Sequence, residues 1–327
     1  MAFPRRFILA ALWCPLAMAQ TRNSAQLLGY PADAKLLIIH ADDLAVSHSE
    51  DRASFAALDK RAASSASIMV PCPWLTEVAE YAKAHPDADL GLHLTLTSEW
   101  QSYRWGPVAS RDQVPGLLGP DGNLWPDVPF VTKSAKPAEV ETEIRAQVER
   151  ALKVGIRPTH LDSHMATLFN PAYFPAYVKV AREYGLPFLP MRTPGAPASM
   201  LDLLKDSDIL PAAIVMAAGV KPENWASYYL GIVQSLKPGL TELIVHMAYD
   251  DAEMQAVTEG HPAYGSAWRQ RDFDVIAGAD FRQALKDNHV TLIGWRQIKE
   301  RETAGKKNGS LPRDGFPTAA ARQKDCL

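Results

Sequence analysis

His160, Asp162 and His164 alternate in the run His160-Leu161-Asp162-Ser163-His164, so an extended backbone there sets two imidazoles and a carboxylate in one row on one face. Two more clusters have the same character: Asp42-Asp43, close behind Leu36-Leu37-Ile38-Ile39-His40, and His93 inside Gly91-Leu92-His93-Leu94. Apolar runs of this length predict buried strands, and ionisable groups at their ends are costly unless a metal or a reaction uses them. A carboxylate and two imidazoles on one divalent ion leave positions for water and substrate, and a second carboxylate beside that ion can take a proton. The chemistry to expect is metal-dependent hydrolysis. The structural alternative is a hydrogen-bonded core histidine at each single position and a helix cap for one Asp, with Ser47 or Ser49 as rival caps. Three aligned groups and two successive carboxylates are more than those roles need.

The elements that must position these residues alternate along the chain. Strand-like runs lie near 35–41, 66–70, 89–96, 157–163, 187–191, 243–247 and 290–295, and helical stretches near 74–84, 137–154, 171–184 and 273–287. That order predicts an α/β protein built from βα units around a parallel sheet or barrel, whose strand carboxyl ends collect ligands and catalytic groups. Within 171–184, Tyr173, Tyr177, Val180 and Ala181 share a face, with Pro171 placed in the first turn. No repeat or low-complexity segment interrupts the pattern, so one catalytic domain over 35–301 is expected, after a lead-in at 20–34. Residues 98–136, rich in Pro and Gly, predict a long loop over the active-site face, and 302–327 a poorly ordered polar tail.

A chain of 327 residues that is 47% hydrophobic can bury a sizeable core. Its net charge of −3 gives no support to nucleic acid or an anionic membrane as partner. Residues 1–19 have the form of a signal peptide: Arg5 and Arg6, an apolar core over 7–16, and Ala17-Met18-Ala19 as cleavage site. Export to the periplasm or beyond is expected, with no stable membrane span after cleavage because the apolar core is too short. Cys72 and Cys326 would then be the remaining cysteines, too few for a disulfide scaffold.

Ala-Asp-Asp at 41–43, Gly-Leu-His-Leu at 91–94, Pro-Thr-His-Leu-Asp-Ser-His at 158–164 and Val-His at 245–246 give the chain a family likeness over about 35–295. It resembles the YdjC-like carbohydrate deacetylases, relatives of the polysaccharide deacetylases. The resemblance implies an irregular, TIM-barrel-like (β/α) barrel, of about seven strands here, that removes acetyl groups from an N-acetylated sugar or oligosaccharide with one divalent metal ion. By position, Asp43, His93 and His164 would be the metal ligands, Asp42 the base and His246 the acid that protonates the departing amine. His160 and Asp162 would orient the ligands, while Arg192 would hold Asp42 or a substrate oxygen, or stand as a surface arginine at a strand end. Magnesium is associated with relatives; an imidazole and carboxylate set suits zinc or another transition ion.

The chain departs from the family pattern at Leu44-Ala45, where Phe-Gly is common, and at Met165-Ala166-Thr167, where further histidines are common. Trp100, Tyr103, Trp105, Trp125 and Phe130 crowd the long loop as sugar platforms or as core plugs. Trp268, Arg269 and Arg271, ahead of a late helix, would line the cleft or fasten a loop. Two other functions stay in view: hydrolysis of another amide or ester, and a non-catalytic carbohydrate-binding barrel. Retention of Asp42, Asp43, His93, His164 and His246 together weighs against the binding protein, and a homodimer stays open.

Overall fold

Leu36, Leu37, Ile38 and Ile39 are all buried, yet they belong to two different cores. Leu37 and Ile39 pack with helix residues such as Ala53, Val78, Ile144 and Tyr177, whereas Leu36 and Ile38 pack with Leu189, Leu240, Ile293 and Trp295. A strand buried on both faces in this way lies between an outer layer of helices and the inside of a curved sheet. In the computed structural model, which describes residues 22–190 and 197–307, this strand is β1 (Lys35–Leu44). The others are β2 (Ser65–Ile68), β3 (Leu90–Leu94), β4 (Leu161–Ser163), β5 (Ala213–Met216), β6 (Gly239–Val245) and β7 (Val290–Leu292).

The pairings are all parallel, in the order β4-β3-β2-β1-β6-β5, with β7 attached to β1. The architecture is therefore α/β, with a parallel half-barrel of six strands. Among the described residues no ladder joins β4 to β5, so the expected ring of seven strands is not completed. The segment near 187–191 makes a single bridge, Leu161 to Phe188, instead of a strand, and Met191 lies outside the described residues. Pro187 and Pro190 have no N–H to offer a ladder, which limits the pairing to Leu161 N donating to Pro187 O and Leu189 N donating to Leu161 O. β5 had no counterpart among the sequence-level strands; its half-exposed Ile214 and Val215 give it little of the buried-strand signature.

Alternation on β1 continues inward from Leu36 and Ile38 to His40 and Asp42, so an apolar floor gives way to a polar mouth at the strand's carboxyl end. β6 repeats the plan in register, with Leu36 opposite Leu240 and Ile38 opposite Glu242. Trp295 and Ile298, on the helix Trp295–Lys307, join this apolar end. That helix runs through Glu302 to Lys307, into the segment expected to be a disordered tail. Residues 1–19 and 308–327, and Arg192, lie outside the described residues.

Other elements differ in their bounds. The helix expected from Pro171 begins at Phe174, with Pro175 in its first turn, and buries Tyr177, Val180 and Ala181 as the spacing predicts. The stretch 273–287 is two helices, Ser266–Ile276 and Ala279–Asp287, broken at Gly278. Trp268, Arg269 and Arg271 thus sit inside a helix and not ahead of one. The loop 98–136 carries a short helix, Val128–Ser134, capped by Asp127. No described helix is long and apolar enough to cross a membrane.

Candidate active site

Asp42 and Asp43 are neighbours, and strict alternation would point them to opposite faces. β1 avoids this with a bulge: between Ala41 and Leu44 it advances three residues while β2 advances two, and Asp43 takes a left-handed φ of 71°. Both carboxylates therefore reach the same cavity. Ala45 also has a positive φ, 78°, where the family commonly has Gly; Asp51 Oδ1 accepts from its N–H at 2.6 Å and holds the turn. The capping role is taken by Ser47, whose hydroxyl accepts from Glu50 N at the start of the helix His48–Asp59. Neither Asp is needed as a cap.

Asp43, His93 and His164 converge from the carboxyl ends of β1, β3 and β4. Asp43 Oδ1 lies 3.3 Å from His93 Nε2 and 3.4 Å from His164 Nδ1, and all three side chains are buried. That oxygen has no hydrogen-bond partner among the described residues, and an orphaned carboxylate oxygen facing two imidazole nitrogens fits a divalent cation. The far nitrogens are used: His93 Nδ1 donates to Asp162 Oδ1 at 2.7 Å, and His164 Nε2 donates to Glu99 Oε2 at 3.0 Å. Each carboxylate fixes the tautomer that turns the other nitrogen's lone pair toward Asp43.

Two further groups bring donor atoms equally close, Asp42 with His93 and Asp162, and His40 with His160 and Asp162. In the first, Asp162 already takes the Nδ1 proton of His93. The second is enclosed beneath the site, with His160 stacked on Trp295 and both imidazoles fully buried.

Asp42 stands beside this centre. Its Oδ1 lies 3.2 Å from His40 Nε2 and 3.5 Å from Ser67 Oγ, and its Oδ2 lies 3.7 Å from His93 Nε2 and 3.8 Å from His246 Nε2. His246, just past β6, is placed through its backbone N–H, which donates to Asp272 Oδ2 at 2.9 Å. Asp272 is itself pinned by Trp225 Nε1 and Tyr229 OH. Burial pulls the His246 pKa below its ordinary value. Burial also opposes ionisation of Asp43, but the adjoining Arg269 guanidinium leads the influences that outweigh it and hold the carboxyl well below its usual range. For His40 burial opposes the charge, yet Asp162 and Asp42 overcome it and push the imidazole up to about 10.

Arg192 lies outside the described residues; the arginine among them that reaches the centre is Arg269, and it holds Asp43 rather than Asp42. Buried Arg269 donates from Nη2 to Asp43 Oδ2 at 2.8 Å, from Nη1 to Glu50 Oε1, and from Nε to Tyr264 O at 2.7 Å. His40, Glu99, Glu50 and Asp272 complete the site without having been assigned roles from the sequence. Alternation could have found His40, two residues before Asp42 on one strand; Glu99, at the start of a loop, carries no such signal. Asp162 lies behind the centre on His93 Nδ1, whereas His160 bonds Thr159 Oγ1, stands 3.9 Å from Asp162 Oδ2 and touches none of the three proposed ligands.

The loop aromatics serve mainly as plugs. Trp100 and Trp105 are each 3% exposed, Trp105 Nε1 donates to Thr97 O, Tyr103 OH donates to Val46 O, and Trp125 Nε1 donates to Gly116 O while its ring stacks on Phe130. Buried Trp268 packs against Trp225 and Tyr264, and Arg271 lies over the Trp225 ring.

A parallel α/β frame with an Asp and His centre at its strand carboxyl ends is the arrangement in which α/β enzymes place their active sites. The chain belongs to the YdjC-like protein family, which it matches over residues 36–287. A carbohydrate deacetylase of Thermus thermophilus is 29% identical over 276 residues, 81% of this chain and 94% of the relative. One from Thermoanaerobacter pseudethanolicus is 27% identical, covering 81% of this chain and 100% of the relative. A crystal structure from Enterococcus faecalis V583 shares the fold at a TM-score of 0.69 and 23% identity, covering 81% of this chain and 99% of its own.

Proposed function

We propose that this protein is a metal-dependent hydrolase that removes the acetyl group from an N-acetylated carbohydrate or glycoconjugate. The observation that carries this is the orphaned Asp43 Oδ1 facing His93 and His164, with Asp42 and His246 both within 4.0 Å of the Asp and His centre. Relatives named carbohydrate deacetylase, 27–29% identical over about four fifths of the chain, supply the substrate class.

A divalent cation held by Asp43, His93 and His164 would supply Lewis acidity, lowering the pKa of a water from about 15.7 to roughly 7 and polarising the acetyl carbonyl. Asp42 accepts the proton of the attacking water. The proton passes from Asp42 to His246, 3.8 Å from Asp42 Oδ2, which gives it to the departing nitrogen, so acetate and a free amine leave the site. The lowered pKa of His246 suits a group that gains its proton during the reaction and then gives it up. Two imidazoles and one carboxylate favour zinc or another transition ion over magnesium. The Arg5-Arg6 start and the apolar run over 7–16 support export as the setting.

Acetate release from a panel of N-acetylated oligosaccharides tests the reading. Activity should vanish with a chelator and return with added divalent ion; new reducing ends without acetate, or full activity in metal-free protein, would overturn it. A separate expectation concerns Glu99. Glu99→Ala removes the acceptor that orients His164, and divalent-ion affinity by calorimetry should fall about 10–100-fold; unchanged affinity would free His164 from that dependence.

A further inference from the structure

Below the catalytic groups lies a second set of buried ionisable side chains that this reaction leaves unused. His40 Nε2 is 2.9 Å from Asp162 Oδ2, 3.1 Å from Ser67 Oγ and 3.2 Å from Asp42 Oδ1, and His40 Nδ1 is 3.7 Å from Glu242 Oε1. The ring has no freedom to swing. His160 meets it edge-on at 5.0 Å and is stacked in turn on Trp295, whose Nε1 donates to Glu242 Oε1 at 3.0 Å. Gly91 makes room for this layer, since a Cβ there would stand 2.3 Å from His160 Cε1.

Asp162 uses its two oxygens differently: Oδ2 faces His40, while Oδ1 accepts from His93 Nδ1. One rigid imidazole therefore touches Asp42 directly and, through Asp162, the histidine that faces Asp43. Without it, Asp42 Oδ1 would keep only Ser67 Oγ at 3.5 Å, and the carboxylate could rotate toward His93 or His246. We propose that His40 is a positioning residue for the reaction: it sets the Asp42 carboxylate at a fixed place relative to His93, so that the base meets the attacking water in one geometry. This rests on Asp42 being the base of a deacetylase. Small displacements of such a group carry large rate effects, because near-attack geometry accounts for much of the barrier lowering.

A double-mutant cycle tests it. In His40→Asn, kcat for acetate release should fall at least about 10-fold, a part of the roughly 10²–10⁴ that general base catalysis supplies, with KM and metal content nearly unchanged. In an Asp42→Asn background the same replacement should add almost nothing, because its target is already gone. Losses that multiply independently, or a KM that moves with kcat, would overturn the assignment. If His40→Asn does not fold, His40→Phe, which keeps a ring of similar size and has no N–H, completes the same cycle. A readout without turnover comes from the shielded His40 ring N–H proton in NMR of the folded protein. It should move in Asp42→Asn, and its indifference would overturn the contact. A wild-type protein that releases no acetate sinks the deacetylase reading itself, whereas an active wild type with independent losses sinks only the role of His40.

Discussion

Asp42→Asn should lower kcat for acetate release by about 10²–10⁴ while leaving the bound divalent ion in place. Asn has nearly the shape of Asp, and its amide oxygen can keep the 3.2 Å contact that Asp42 Oδ1 makes with His40 Nε2. What it lacks is basicity, so the proton of the attacking water has no acceptor at that position. The Asp43, His93 and His164 donors do not depend on it, because the hydrogen bonds that orient the two imidazoles come from Asp162 and Glu99. Steady-state kinetics with metal analysis of the same preparation separates the two effects. Normal turnover in Asp42→Asn would remove it as the base, and loss of metal would move it into the ligand set.

The largest stability effect is expected at Arg269. Its guanidinium spans Asp43, Glu50 and the Tyr264 carbonyl from a fully buried position, and truncating one partner of a buried ion pair typically costs about 3–5 kcal/mol. Arg269→Met keeps most of the length and none of the charge. Urea unfolding in the presence of a chelator, so that ion binding does not mask the change, should show a loss of that order. Arg269→Lys should recover only part, since an ammonium cannot reproduce the three-way fork.

The pH dependence follows from Glu50. Burial raises its pKa well above the ordinary value, and Arg269 is the main influence that lowers it. With Arg269 gone the folded-state pKa rises further. A carboxyl whose folded pKa exceeds its unfolded one loses stability as pH rises between the two, so the deficit of the variant should grow from acid toward neutral pH. Adding Glu50→Gln should return part of the lost stability, and a deficit independent of pH would sink this account.

Much of the frame was legible because it rests on local periods. Buried runs around Leu36, Leu92 and Leu243 announced three of the strands, and the helical spacing of Tyr177, Val180 and Ala181 announced the buried face of the helix Phe174–Glu183. Segments whose signal depends on context were misjudged. Pro187 and Pro190 deprive a plausible strand of ladder donors, and Gly278 divides one expected helix into two. The aromatic-rich loop, open between sugar platforms and core plugs, spends its rings on its own packing.

The sequence by itself determined the ionisable rows: His40 with Asp42 on one strand, His160 with Asp162 on another, and His93 on a third, because a period of two assigns faces without reference to the rest of the chain. The bulge that brings Asp43 around to join Asp42, and the partners that finish the centre, were decided only by tertiary structure. Arg269 meets Asp43 across a separation of 226 residues and Glu99 meets His164 across 65, and contacts of that span depend on how whole helices and loops settle on the sheet. No local spacing encodes that placement, so the same residue types read as ordinary surface charges until the fold buries them together.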